Sequence, residues 1–243
     1  FGFYWNQVRD TSRTHLYDKG SIIVNSTKMR SSFAGINSEL SFDFTPFQSS
    51  DWSFNRITLI NSFDQKLGLL GGRFRQVYGQ IWSNQDGAPL QERFNVEGAG
   101  SGDLYKKSYL RDKTSFYGNK SFFGQYHLPG DANLRAFGNQ GFAGVEQVFA
   151  ITIEGFLSKS LAGINLELAG FIDQGTLSGS KFVLGDKGFD SNTLVDYGIG
   201  LRLSTTIFGQ PIFLRLDKPM GAKIDGIDIE KMNDWIFSFQ KSI

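Results

Sequence analysis

The sequence predicts an all-β fold, an antiparallel transmembrane β-barrel, because five consecutive segments near the C-terminus alternate apolar and polar residues. A soluble sandwich shows the same alternation, so this pattern alone does not decide what the apolar face contacts. The longest segments, however, have the length of strands that cross a bilayer, roughly 9–11 residues, and aromatic residues lie at strand ends. These two observations favour a membrane barrel.

The alternation is clearest in the first of these segments. Phe149, Ile151 and Ile153 fall on one face of a strand, while Thr152 and Glu154 fall on the other. The polar face of the other segments also collects charged or polar groups. The five segments are 148–157, 164–173, 197–204, 212–217 and 235–240.

Composition agrees with a barrel and excludes several other classes. The 243 residues include 24 Phe, 8 Tyr, 4 Trp and 29 Gly, but no Cys. The mean hydropathy is nevertheless slightly negative, at -0.23, as expected when only alternate strand residues contact lipid. Absence of cysteine excludes a disulfide scaffold and cysteine-bound zinc. The net charge of +1 argues neither for nor against nucleic-acid binding, but the dispersion of the basic residues argues against it.

The N-terminal part predicts further strands at 1–8, 21–28, 40–44, 52–60 and 68–82. Three or four strands fit between Gly20 and Trp82. A long irregular stretch, 83–144, follows and is predicted to be a loop with a function, because structureless loops of this length are uncommon in compact domains. The chain begins at Phe1 without a signal peptide, so we expect a processed chain or a fragment.

Four short motifs resemble the bacterial surface antigen superfamily of outer-membrane assembly and translocation barrels. The first two belong to the predicted loop: the run 88–94 and the sequence Leu134-Arg135-Ala136-Phe137. Residues 171–175 resemble the family's aromatic-x-Asp-x-Gly strand motif, and 198–202 with 209–211 and 216–219 resemble its next-to-last strand pair. The resemblance covers nearly the whole chain.

This resemblance implies the C-terminal nine or ten strands of a barrel of about sixteen strands, in the bacterial outer membrane. It implies that the loop 83–144 is extracellular and folds back into the lumen. It also implies a periplasmic turn at 9–20, and hence three strands between Gly20 and Trp82. The chain departs from the family at Ala136, where glycine is usual, and at Ile243, where an aromatic residue is usual.

Within the lumen, the resemblance and the alternation together predict a lock on the loop. Glu154 and Asp173 fall on the polar faces of neighbouring strands, and Arg135, followed by Phe137, is the family's loop tip. An arginine between two carboxylates forms charge-assisted hydrogen bonds that would hold the loop. The alternative is that the carboxylates are ordinary solvated charges and Arg135 is exposed.

Further lumen charges are predicted at Arg202, Arg215 and Asp217. The two arginines line a pore or pair with Asp196 and Asp217, and structural pairing is favoured. The terminal strand carries Trp235, Phe237 and Phe239, which the resemblance assigns to the closing seam and to an insertion signal. A lipid-facing strand with an interfacial tryptophan explains the same residues.

No catalytic, metal or cofactor site is predicted, since His15 and His127 have no ligand-spaced partners. The implied function is assembly or translocation of polypeptides, without catalysis. The implied partners are outer-membrane lipid and lipopolysaccharide, client polypeptides and lipoproteins. The alternatives are a membrane anchor for a peptidase or lipase domain, a passive porin, and a soluble β-sandwich.

Overall fold

The computed structural model shows a single antiparallel sheet and describes residues 2–8, 20–45, 51–83, 87–89, 92–94, 131–137, 145–184, 187–207, 210–230 and 235–241. No part of this described chain forms a helix long and apolar enough to cross a membrane. The strands are β1 (Gly2–Val8), β2 (Gly20–Phe33), β3 (Ile36–Phe44), β4 (Phe54–Leu67), β5 (Leu70–Ser83), β6 (Gln147–Leu161), β7 (Ile164–Leu184), β8 (Lys187–Ile207), β9 (Gln210–Ile224), β10 (Ile227–Ile229) and β11 (Ile236–Lys241).

Each strand from β1 to β10 pairs with the next in the chain, and β11 pairs with β9. Tight two-residue turns make several of these pairings possible. At the β2–β3 turn, Ala34 and Gly35 have φ of 51° and 81°, and at the β6–β7 turn Ala162 and Gly163 have φ of 51° and 82°. Two successive left-handed residues match the twist of the flanking strands, so these turns fix the register of their hairpins.

Four strands, β2 to β5, lie between Gly20 and Ser83, so the expectation of three strands there is wrong. The strand predicted over 68–82 is β5, and the tight turn at Ala34 separates two strands upstream. Because four antiparallel strands intervene, the connection before β2 and the long connection after β5 leave the same end of the sheet. The expectation that they lie at opposite ends is therefore also wrong.

The two faces of the sheet have opposite character. On β6, the side chains of Thr152 and Glu154 are buried, whereas Ile153 and Leu157 on the other face are 52% and 53% exposed. The same alternation continues on β7, where Leu168 is 55% exposed beside buried Ala169. The predicted alternation is therefore present, with its polar side buried. We call the buried side the inner face and the apolar exposed side the outer face.

Two short loop segments cover the inner face and supply what its polar side chains pack against. Residues 87–89 and 92–94 lie over β3 to β5, and residues 131–137 lie over β6 to β9. Apolar side chains of both segments join strand residues in one buried cluster, which includes Phe94, Leu134, Phe137, Val148 and Leu177. The core of this protein thus lies between the sheet and its own long connection.

Two short strands, β10 and β11, pair with the same strand, β9, at the C-terminal end of the chain. Strand β10 was not predicted from the sequence; it pairs with 222–224 of β9, while β11 pairs with 212–217 of the same strand. Both therefore lie along one edge of β9, separated by 230–235. The two pairings differ in register by two residues, so β10 and β11 do not form one regular ladder with β9.

Candidate functional site

The loop segment 131–137 places a turn directly against the inner face. The amide of Phe137 donates to the carbonyl of Leu134 at 3.4 Å, and Asn133 holds a left-handed φ of 55°. Asparagine tolerates this conformation better than most residues. Leu134, Arg135, Ala136 and Phe137 are all buried, so the turn points its tip inward.

Arg135 is the centre of the site and is only 1% exposed. Its Nη2 donates to Glu154 Oε1 at 2.5 Å and to Asp173 Oδ1 at 3.3 Å. Its Nε lies 3.0 Å from Asp173 Oδ2, and its Nη1 lies 3.5 Å from Asp217 Oδ2. The structure thus brings the predicted loop arginine together with both predicted carboxylates and adds a third from β9.

An aromatic ring completes the arginine's surroundings. The guanidinium carbon of Arg135 lies 3.8 Å from the centroid of the Phe171 ring, a cation–π distance. Phe171 occupies the inner face of β7 two residues before Asp173. The planar cation is therefore held by a ring over one face and by carboxylates around its edge, which fixes its orientation more tightly than charge alone.

Glu154 is the hub of the surrounding charges. Besides Arg135, it pairs with Arg202 through its Oε2 and with Arg215 through its Oε1, the latter at 3.3 Å. Arg73 of β5 lies 4.0 Å from Glu154 and also pairs with Glu167 at 2.7 Å. One carboxylate thus joins cations from β5, β8, β9 and the loop.

Two further hydrogen bonds hold the same turn, one from a backbone amide and one between side chains. The amide of Ala136 donates to Asp196 Oδ2 at 3.0 Å, and Asn133 Nδ2 donates to Thr152 Oγ1 at 3.5 Å. Among the described non-glycine residues, left-handed φ occurs at Ala34, Asn133, Ala162 and Asp225, so Ala136 is not one of them. An alanine therefore fits this position without backbone strain.

The electrostatics favour a permanently charged arginine. Burial by itself would lower the pKa of Arg135, but attraction to Asp173, Asp217, Glu154 and Asp196 outweighs it and raises the pKa above its ordinary value. A buried charge whose partners are removed costs several kcal/mol. The carboxylates and the arginine therefore depend on each other to remain inside.

A polar cavity of about 580 Å³ adjoins the site on the side of the short hairpin turns. Four arginines line it together with the carboxylates of Asp64, Glu154 and Glu167; they are Arg73, Arg75, Arg202 and Arg215. Their mixed charge is mostly consumed in pairing. The arrangement is suited to holding a loop segment in place.

Of the two remaining predicted arginines, one forms an expected pair and the other does not. Arg215 pairs with Asp217, one of the pairings expected from the sequence. Arg202 pairs with Glu154 and not with Asp196, so that expected pairing is wrong. The reason is register: Asp196 faces Asp173 directly across β7 and β8, where it receives the amide of Ala136.

The terminal strand is only partly described. Trp235 is 45% exposed, and Lys218 Nζ lies 5.0 Å from its ring centroid. Phe237 pairs with Leu216, and the backbone of Phe239 pairs with Leu214. The side chain of Phe239 lies outside the described part of the structure, as do His15, His127 and most of the predicted loop 83–144.

Sequence reasoning missed Arg73, Glu167, Phe171 and the role of Asp196. The alternation pattern indicated two of them, since Glu167 lies on the same polar strand face as Asp173, and Asp196 on the same polar strand face as Arg202. Nothing local in the sequence indicated Arg73, because its contact with Glu167 joins strands β5 and β7 across the inner face.

Among the described residues, no cluster of acidic, histidine or cysteine side chains has the arrangement of a metal site. Comparisons with protein-family models and with curated proteins found no match to this chain.

Proposed function

We propose that the chain is part of an outer-membrane β-barrel that assembles or translocates polypeptides, as the resemblance to the surface antigen superfamily implies. In this proposal the outer face contacts lipid and the inner face surrounds the lumen. The loop segment 131–137 is a plug held in that lumen by Arg135.

The arrangement of the two faces supports a membrane location. A water-soluble sheet buries its apolar side, whereas here the apolar side is exposed and the buried side carries the charges. A row of half-exposed Ile and Leu side chains costs free energy in water and gains it in hydrocarbon. The outer surface has the character expected of a lipid-facing wall.

The single observation that carries the functional proposal is the burial of Arg135 between Glu154 and Asp173. A passive pore has no need of a loop arginine fixed by partners from three strands. A plug that is held by ion pairs is stable when closed and has a defined way to release. This device suits a barrel through which, or beside which, polypeptide must pass.

The irregular pairing along one edge of β9 supports a second part of the proposal. The edge is formed by two short strands, β10 and β11, rather than by one continuous partner. Weakly covered edges accept additional strands by main-chain hydrogen bonding. We place the insertion or exit of client polypeptide at this edge.

The experiment uses the intact native protein, extracted from outer membranes with detergent and identified with its partners by mass spectrometry. The purified protein is then reconstituted in lipid vesicles with an unfolded client barrel, whose folding is followed by its heat-dependent shift on gels. Faster client folding and co-purifying lipoproteins support the proposal. A lone polypeptide with hydrolase activity would instead make this barrel an anchor, and recovery without detergent would overturn the membrane location.

A further inference from the structure

A second group of contacts, separate from those of Arg135, holds the beginning of the long connection. On the inner face of β3 and β4, Arg56 donates from Nε and Nη2 to Asp43 Oδ2 at 2.8 and 2.6 Å. Its Nη1 donates to the carbonyl oxygen of Glu92 at 2.7 Å and lies 3.4 Å from Glu92 Oε2. Glu92 itself is only 1% exposed. We call Arg56, Asp43 and Glu92 the proximal anchor.

Apolar packing reinforces the proximal anchor. Phe94 is 2% exposed, and its ring lies over Gly79 of β5. A Cβ at Gly79 would come within 2.4 Å of that ring, so the ring occupies space that only glycine leaves open. The segment thus packs closely against β5 through a contact in which Arg135 takes no part.

The two stems of the long connection are also tied to each other. Phe94 and Val145 exchange both backbone hydrogen bonds, at 2.9 and 2.8 Å, and the amide of Ile81 donates to the carbonyl of Glu146 at 2.8 Å. Arg93 adds a hydrogen bond to the carbonyl of Ala88 at 2.7 Å. The base of the connection is therefore closed by main-chain pairing next to β5 and β6.

We infer that the long connection is held at two points that release independently, so that 131–137 can leave the inner face while 87–94 stays seated. The described polar contacts of the proximal anchor and of Arg135 involve different residues. The proximal anchor uses β3 and β4, whereas Arg135 uses β6, β7 and β9. Residues 95–130 separate the two segments along the chain.

A shared apolar cluster opposes independent release of the two segments. Both segments contribute apolar side chains to the same buried cluster, including Ala88 and Phe94 from one and Leu134 and Phe137 from the other. If that cluster opened as one unit, both anchors would be lost together. We expect the directional polar contacts, and not the shared cluster, to decide which segment opens.

The test uses thiol labelling, because the chain has no cysteine. Ala88→Cys and Ala136→Cys each place one reporter in a position that is at most 1% exposed. Each reporter is introduced into the full-length protein with Arg135→Ala, with Arg56→Ala, or with neither. The labelling rate of a buried thiol measures how often its segment opens. Labelling of the parent protein without the reporter is subtracted.

Arg135→Ala should raise the labelling rate at position 136 about tenfold or more and change the rate at position 88 by less than about twofold. Arg56→Ala should raise the labelling rate at position 88 about tenfold or more and change the rate at position 136 by less than about twofold. Because Arg56→Ala leaves Asp43 unpaired, Gly79→Ala is a second variant that displaces Phe94 without removing a charge. Gly72→Ala is its control, since a Cβ there has only an ordinary contact of 3.7 Å. A parallel rise at both reporters in either variant would overturn the inference.

Discussion

Phe171 and Gly198 face each other across β7 and β8, and a Cβ on Gly198 would lie 2.6 Å from the Phe171 ring. The ring leans over the glycine and, from that position, covers the guanidinium of Arg135. The position of the ring that covers Arg135 thus depends on the absence of a side chain at Gly198 on the neighbouring strand β8.

Gly198→Ala should therefore lower the temperature at which the folded protein loses its compact form on gels. The added methyl also meets the carbonyl oxygen of Lys218 at 2.3 Å, so relief requires movement of the backbone. Overpacking of this kind costs about 1–3 kcal/mol. The matched control is Gly170→Ala on β7, where a Cβ meets nothing within 4 Å. Equal melting temperatures for the two variants would contradict the role given to Gly198.

Arg135→Ala should loosen the loop and lower the resistance of the folded protein to heat and SDS. The substitution leaves Glu154 and Asp173 buried without their loop partner, a loss of up to about 3–5 kcal/mol before screening by water in the adjoining cavity. Arg30→Ala is the control, because its pair with Glu39 is exposed and such pairs contribute about 1 kcal/mol or less. An unchanged melting profile together with unchanged activity would exclude the lock.

Glu154→Gln should destabilise the protein more than Asp217→Asn. Glu154 pairs with arginines from the loop and from three strands, whereas Asp217 pairs with Arg135 and Arg215. A double-mutant cycle between Arg135→Ala and Glu154→Gln, followed by urea unfolding, should give a coupling free energy of about 1–3 kcal/mol. Additive effects of the two substitutions would mean that their contact contributes nothing to stability.

The strand pattern of the C-terminal half was predictable because its alternation is a local property. Phe149, Ile153 and Leu157 recur with a period of two, and the structure places them on one face of β6. The sequence also placed Glu154 and Asp173 on the same face as each other. Whether Arg135 reaches them was predictable only from the family resemblance.

The remainder depends on contacts that no local pattern contains. The division of the N-terminal half into four strands follows from the left-handed turn at Ala34, a residue that seldom adopts this conformation. Arg56 and Glu92 lie far apart in the chain and meet only because the loop folds back. Asp196 was expected to pair with Arg202, but cross-strand register directs it to Asp173 instead.

The outer face offers the most direct test of the membrane proposal. Ile153 lies near the middle of β6 and is 52% exposed, whereas Leu161 lies at the hairpin end of the same strand and face and is 73% exposed. In a bilayer, an arginine costs about 2–4 kcal/mol at the midplane and about 0–1 kcal/mol near the interface. Ile153→Arg should therefore lower the free energy of unfolding in lipid vesicles, measured by urea titration, far more than Leu161→Arg. In water both substitutions would be nearly neutral, since an exposed surface site tolerates charge. Equal, small effects at the two positions would show that this face does not contact hydrocarbon.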